Sequence, residues 1–325
     1  MSEQLLSIQG LDVSYPAAQG RAHILSSVDL EIAKGEAVGL VGESGSGKST
    51  LALSLLGLLP ANADISVKAS AFGGRTDFLG PAASGSLRGT DRAIVFQDPM
   101  TALNPFFSIG SHLVDIQRRR FPDHSRRSLW DRAVEVLTKV GVQDAARRMK
   151  QYPHEFSGGM RQRVVIAMAL LVEPKLLIAD EPTTALDATI ETQIVELLQT
   201  LRQETACSLL IVSHSMGLIA ELCESVVVMY AGTVVEAGPV QKVLHEPRHP
   251  YTRALLACEI DPYESVTGTA ELKTIPGSVP DLARRPRGCV FAGRCPEREA
   301  RCTEPPPLIR TGKTHRFTCW KGAPA

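Results

Sequence analysis

Apolar and polar positions alternate along Leu5–Val13, where Ile8 and Leu11 sit among polar neighbours, and the run closes at Tyr15-Pro16. A second alternating run, Val28–Ile32, stops at Lys34-Gly35. This period of two predicts an antiparallel β layer near the start of the chain. Ala37–Val41 is apolar throughout, as in a strand buried on both faces, and Leu51–Leu56 reads as the start of a helix. Ala61–Arg92, rich in Gly, Ala and Ser, predicts short strands and loops, followed by a short buried strand at Ala93–Phe96. Helical spacing then runs from about Pro105 to Gln151, marked by Val134, Leu137, Val140 and Val142, and Val164–Val172 predicts an apolar helix. Two buried strands, Leu176–Ala179 and Leu209–Val212, flank a helix carrying Ile190, Ile194, Leu197, Leu198 and Leu201 on one face. Val226–Tyr230 and Thr233–Glu236, joined by Ala231-Gly232, read as a hairpin. Strands alternating with helices make this an α/β protein, and no long periodic helix is expected after about Cys258.

The chemistry concentrates at the end of the first buried strand. Gly42-Glu43-Ser44-Gly45-Ser46-Gly47-Lys48-Ser49-Thr50 fits G-x-x-x-x-G-K-[ST] and lies between that strand and a helix. Glycines let the backbone wrap so that successive N–H groups face an anion, and the helix N-terminus adds free donors and a positive dipole end. Lys48 would reach the β- and γ-phosphates, and the Ser49 hydroxyl would bind Mg²⁺. Strand, motif and helix agree on a nucleoside-triphosphate site.

Four further features suit the same chemistry. Ser157-Gly158-Gly159-Met160 opens the apolar helix with a good N-cap and uncovered N–H groups, a second anion-binding helix end. Leu176–Ala179 delivers Asp180-Glu181: the aspartate suits Mg²⁺ held through its water shell, and the glutamate is placed to polarise an attacking water. Ser213-His214 ends the next strand. Tyr15 offers a flat surface for a nucleobase, although a half-buried strand aromatic would look the same in sequence.

Composition narrows the setting. The 325 residues suggest about two domains, and 44% hydrophobic content suits a large core. Lys+Arg and Asp+Glu balance at 35 each, so no global field draws nucleic acid. The clusters Arg118-Arg119-Arg120, Arg126-Arg127 and Arg147-Arg148 read as ordinary exposed helix faces. No apolar run is long enough to span a bilayer, and Met1–Gly10 lacks the features of a secretory signal, so the chain is expected in the cytosol. Seven cysteines in a reducing compartment argue against a disulfide framework.

With the phosphate loop, Ser157–Met160, Asp180-Glu181, Asp187 and His214 in this order, Leu5 to Gly238 resembles an ATP-binding-cassette (ABC) ATPase. The resemblance implies a RecA-like P-loop core with an antiparallel β subdomain, and a helical subdomain inserted at about 98–157. It makes Tyr15 the adenine-stacking aromatic, Gln97 a contact to Mg²⁺ and the attacking water, Glu181 the general base and His214 the switch histidine at the γ-phosphate. Ser157, Gly158, Gly159, Met160 and Asp187 would act in trans, on ATP bound by a partner ATPase in a head-to-tail sandwich. The stretches Gln97–Pro105, Phe156–Arg163 and His249–Leu256 are similar to the peptide/nickel importer group, and within it to the D-type ATPase of dipeptide and oligopeptide permeases. Met160, where many ABC proteins have Gln, is usual in D-type chains. That subfamily implies a second, F-type ATPase, two integral membrane permease subunits, an extracytoplasmic solute-binding protein acting indirectly, and no nucleic acid. The chain would sit at the cytoplasmic face of the inner membrane. Soluble ABC ATPases accessory to phosphonate metabolism share much of this pattern but generally lack a long tail.

Residues 239–325 form that tail, expected as a small irregular C-terminal extension to a cassette spanning 1–238. It is proline-rich and short of apolar material, so a metal staple would help it. Cys289, Cys295, Cys302 and Cys319 are spaced C-x5-C-x6-C-x16-C. Their thiolates suit Zn²⁺ or an iron–sulfur cluster, without the paired C-x-x-C knuckles usual for zinc. Resemblance to D-type subunits, some of which hold a [4Fe-4S] cluster here, favours the cluster over zinc or unmetallated thiols.

Overall fold

The computed structural model describes residues 3–18, 20–79, 89–184, 187–258, 274–312 and 314–322. β1 (Gln4–Ala17) and β2 (Gly20–Ala33) form one long antiparallel hairpin. Both strands outrun their alternating stretches because register shifts such as that between Ile8 and Leu11 interrupt the period while pairing continues. β3 (Ala37–Val41) passes into a second sheet. The short β4 (Asp64–Ser66), β5 (Ala69–Phe72) and β6 (Arg75–Thr76) return to the first, giving the order β2-β1-β5-β6 with β4 on β1.

The second sheet takes β7 (Arg92–Val95), β8 (Leu176–Asp180), β9 (Ser208–Ser213), β10 (Ser225–Tyr230), β11 (Thr233–Pro239), β12 (Leu308–Thr311) and β13 (His315–Thr318). Its order is β12-β13-β11-β10-β3-β9-β8-β7. The five strands from β10 to β7 are parallel, and β11, β13 and β12 add an antiparallel edge. Alternate residues of the parallel strands enter two different cores. Val41, Ala179 and Ile211 face one, with most of the helices. Leu40, Ile178 and Leu210 face the other, with the β1–β2 hairpin. Burial on both faces is why these strands read as continuous apolar runs.

α1 (Lys48–Leu56) follows β3. Between β7 and β8 come α2 (Pro99–Ala102), α3 (Ile109–Gln117), α4 (Arg126–Lys139), α5 (Ala145–Arg148) and α6 (Gly158–Leu170). Further helices among the described residues are α7 (Ala188–Thr205), α8 (Met216–Leu222), α9 (Val240–His245) and α10 (Pro250–Cys258). Side-chain oxygens of Asp98, Ser108, Ser125, Ser157, Asp187 and Ser215 each accept a first-turn N–H, which fixes where six of these helices begin. Among the described residues no helix is long and apolar enough to cross a membrane.

The basic clusters find local partners. Arg118 pairs with Asp115, Arg120 with Asp91 and Arg147 with Asp144, while the Arg148 guanidinium lies 5.7 Å from the Phe156 ring centre.

The tail is less separate than its composition suggests. β13 pairs with β11, so the tail extends the main sheet, and Cys289 and Phe291 enter the helix-side core. A fully buried carboxylate anchors it: Glu236 accepts from the backbone N–H groups of Arg248 (2.8 Å) and His249 (2.9 Å), and from His315 Nε2 (2.8 Å). Three donors converge on one side chain, so truncating it strands all three. Glu236→Ala is expected to cost about 3–5 kcal/mol in urea unfolding and to open residues after Pro239 to limited proteolysis. An unchanged unfolding midpoint and digestion pattern would show that the tail docks by other contacts.

Candidate nucleotide-binding site

The carboxyl ends of β3, β7, β8 and β9 lie side by side, and each runs into a segment that bears chemistry. β3 ends at Val41, level with Ser213 of β9, and β8 places Asp180 level with Val212. The phosphate loop starts one residue beyond Val41. Gly42 is required there, because a Cβ would run into the Met229 carbonyl oxygen. Gly47 (φ +99°) caps α1, with its Cα facing the Ile24–Leu25 backbone and side chain.

Lys48 is buried and curls back over its own loop, donating from Nζ to the carbonyl oxygens of Gly42 (2.6 Å) and Glu43 (3.0 Å). Burial lowers its pKa, opposed by the charges of Glu181, Asp180 and Glu43. The Ser46 hydroxyl is buried without a hydrogen-bond partner inside the loop. An unsatisfied hydroxyl within the phosphate loop suits an anion, and Ser44, Gly45 and Ser49 are exposed.

Burial raises the Asp180 carboxyl above the usual carboxylate range, an effect offset by a hydrogen bond from Ser49 and by Lys48, and reinforced by Glu181. Ser49 and Asp180 therefore already share one place, as a pair of oxygen donors suited to Mg²⁺.

Glu181 stands next to them in a left-handed backbone conformation (φ +47°), its N–H donating to Val212 O (2.9 Å). Such geometry costs on the order of 1 kcal/mol or more in a non-glycine residue, and it turns the side chain out of the β8 direction. Gln97 Nε2 and Thr184 Oγ1 each donate to Glu181 Oε2 (both 2.9 Å). His214 Nδ1 lies 3.6 Å from Oε1. Three separate segments, bearing Gln97, Glu181 with Thr184, and His214, thus meet at one carboxylate.

Tyr15 is half-buried near the end of β1, and partial burial raises its pKa. Ser157 and Asp187 cap their own helices. Gly159 lets α6 approach α7, since a Cβ there would sit 2.8 Å from Ile190 Cγ2. Gln162, buried behind the Ser157–Met160 turn, donates to Pro182 O (2.8 Å), joining that helix start to the Asp180–Glu181 segment. Gly158 faces open space.

The four tail cysteines converge. Cys289, Cys295, Cys302 and Cys319 line one pocket with His249, Phe291 and Trp320. Burial pushes the Cys289 thiol up to about 11 and raises Cys295 and Cys319. Among the described residues no group of three or more His, Cys, Asp or Glu side chains is arranged to hold a metal ion. A single zinc would need all four sulfurs within about 2.3 Å of one point.

Sequence comparison agrees with this geometry. Residues 25–184 match the ABC transporter model, and residues 235–302 match the C-terminal region of oligopeptide/dipeptide transporters. The probable D,D-dipeptide transport ATP-binding protein DdpD of Escherichia coli K12 is 43% identical over 328 residues, covering 98% of this chain and 97% of that protein. The chain belongs to the ABC transporter ATP-binding proteins. The dipeptide transport ATP-binding protein DppD of Bacillus subtilis is 42% identical, with 98% and 95% covered. Among solved structures, the dimeric bacterial ABC transporter cassette MJ0796 superposes with a TM-score of 0.63 at 25% identity, over 73% of this chain and 99% of that one. As an ABC ATPase the chain uses ATP and Mg²⁺.

Sequence reasoning assigned no role at this site to Thr184, Gln162, Tyr251 or Arg294. Gln162 and Tyr251 lie inside stretches already quoted, and Thr184 falls between Glu181 and Asp187. The Glu43 contacts of Tyr251 and Arg294 span 208 and 251 residues of chain, a separation no local pattern reports.

Gly42→Ala is expected to weaken equilibrium MgATP binding at least about tenfold, because the Met229 carbonyl cannot yield without moving β10. Wild-type affinity in a folded Gly42→Ala variant would mean that the loop accommodates a Cβ by moving elsewhere.

Proposed function

We propose that this chain is the D-type ATPase of a dipeptide or oligopeptide importer, working at the cytoplasmic face of the inner membrane. The observation that carries the reading is the Glu181 carboxylate, held by Gln97, Thr184 and His214 beside Lys48 and Asp180. The printed names of the relatives and the match over residues 235–302 support the peptide class of cargo.

In this reading the chain divides into a cassette, 1–238, with its helical subdomain at about 98–157, and a tail, 239–325. Gly42–Thr50 cradle the triphosphate, with Lys48 turning from its loop carbonyls to the β- and γ-phosphates. Tyr15 stacks on adenine. Ser49, Gln97 and Asp180 hold Mg²⁺, which shields phosphate charge when bound. Glu181 accepts a proton from the attacking water, which Gln97 orients while His214 contacts the γ-phosphate. Because Glu181 already accepts two hydrogen bonds, its position at attack is fixed before the water arrives.

Ser157, Gly158, Gly159 and Met160 are exposed or half-exposed, apart from Gly159. Together with Asp187 they act on ATP held by an F-type ATPase in a head-to-tail sandwich, an arrangement favoured by the dimeric state of MJ0796. Gln162 then couples that face to the chain's own Asp180–Glu181 segment. Closure of the sandwich moves two integral membrane permeases fed by an extracytoplasmic solute-binding protein, and no nucleic acid is involved. Cys289, Cys295, Cys302 and Cys319 would hold a [4Fe-4S] cluster that keeps the tail compact, and its binding would displace the protons that burial favours on Cys289, Cys295 and Cys319.

Native mass spectrometry of the anaerobically prepared, membrane-assembled complex is expected to show one copy of this chain, one different ATPase and two membrane subunits. The mass of this chain should include about four irons and four sulfides. Two copies of this chain would contradict the F-type partner, and an iron-free chain would contradict the cluster.

A further inference from the structure

The tail does more than pack on the cassette, because two of its side chains reach the first residue after Gly42. Arg294 Nη1 and Nη2 donate to the two carboxylate oxygens of Glu43, at 2.8 and 3.0 Å. The Arg294 side chain is only 6% exposed, and it also donates from Nε to Pro276 O (2.8 Å) and from Nη2 to Ile275 O (2.9 Å). Its orientation is therefore set within the tail before Glu43 is counted. Tyr251, fully buried, accepts the Glu43 N–H at its hydroxyl (2.8 Å). Tyr251 in turn packs against Tyr230 at the end of β10 and against Phe291 in the tail, with ring centres 4.6 and 5.4 Å apart.

The remaining polar group of Glu43 faces the other way. Its carbonyl oxygen accepts from Ser46 N (3.1 Å) and from Lys48 Nζ (3.0 Å). One residue is thus gripped by the tail at its N–H and side chain, and holds the phosphate loop by its carbonyl. The loop needs such an outside anchor. Gly42, Gly45 and Gly47 all adopt positive φ, and a segment so rich in glycine loses much conformational entropy when it orders around an anion. A planar, two-point ion pair fixes direction as well as distance, which a single contact does not.

We propose that Arg294 is a positioning residue of the nucleotide site, holding the phosphate loop in its binding shape through Glu43. The chain's affinity for MgATP then depends on its tail. This rests on reading Gly42–Thr50 as the nucleotide site, and the controls separate the two claims.

The test is a double-mutant cycle on the full chain, using Arg294→Ala, Glu43→Ala and the pair, with equilibrium binding of a slowly hydrolysed ATP analogue and Mg²⁺. Each single variant is expected to weaken binding about five- to tenfold, and the pair no more than either alone. In the assembled transporter, Arg294→Ala should raise KM for ATP by a similar factor while kcat stays within about twofold, because the groups around Glu181 are untouched. Arg294→Lys, which keeps the charge but loses the fork, should fall between wild type and Arg294→Ala, and it serves if Arg294→Ala does not fold. Unchanged affinity in a folded Arg294 variant, or strictly additive losses in the pair, would overturn the clamp. A lowered melting temperature with wild-type affinity would reduce Arg294 to a structural contact and overturn it equally. Lys48→Ala binding as tightly as wild type would instead overturn the reading of the loop.

Discussion

The register of the parallel strands is the constraint on which the site depends. β3, β9 and β8 pair so that Val41 lies level with Ser213, and Val212 with Asp180. A slip of one residue would send Leu40, Ile178 and Leu210 to the wrong core and carry every catalytic loop with them. The two cores, one on each face, are what make that slip costly. Because the strands are parallel and adjacent, their carboxyl ends gather Lys48, Gln97, Glu181 and His214 within reach of one another, although these residues come from widely separated parts of the chain.

Polar groups then join units that the sheet alone would leave independent. Gln162 ties the start of α6 to Pro182, Glu236 ties the tail to the sheet edge, and Arg294 ties the tail to the phosphate loop. All three are buried or nearly so, where a lost partner leaves an uncompensated polar group and no water replaces it readily. Contacts of this kind favour two discrete arrangements over gradual deformation. That suits an ATPase whose nucleotide site must report on the parts packed around it.

Much of this was legible in the sequence, for reasons that differ by element. β3, β8 and β9 could be read because burial on both faces leaves uninterrupted apolar runs, and the phosphate loop because its glycines and Lys48 follow such a run. α1 starts at Lys48, earlier than the apolar run from Leu51 suggests, because its first turn is made of polar residues that serve the site. The ends of β1 and β2 were hidden by bulges. β12 and β13 were hidden too: four residues such as Leu308–Thr311 carry too little alternation, and their partner β11 lies far back in the chain. Tail residues Cys289 and Phe291 are core, which their proline-rich surroundings conceal. The cysteines could be counted in sequence, but their convergence on one pocket depends on contacts such as Cys289 N–H to Cys302 O (3.0 Å).

At the centre stands Glu181, in a strained conformation and held by Gln97 and Thr184, with His214 close by. An amide in its place keeps the shape but cannot take a proton from water. The most direct measurement is steady-state phosphate release by the assembled transporter carrying Glu181→Gln, with the partner ATPase's equivalent residue also changed, beside nucleotide binding. The account predicts intact MgATP binding and turnover lowered by at least about a hundredfold. Near-normal phosphate release from that doubly altered complex would contradict it.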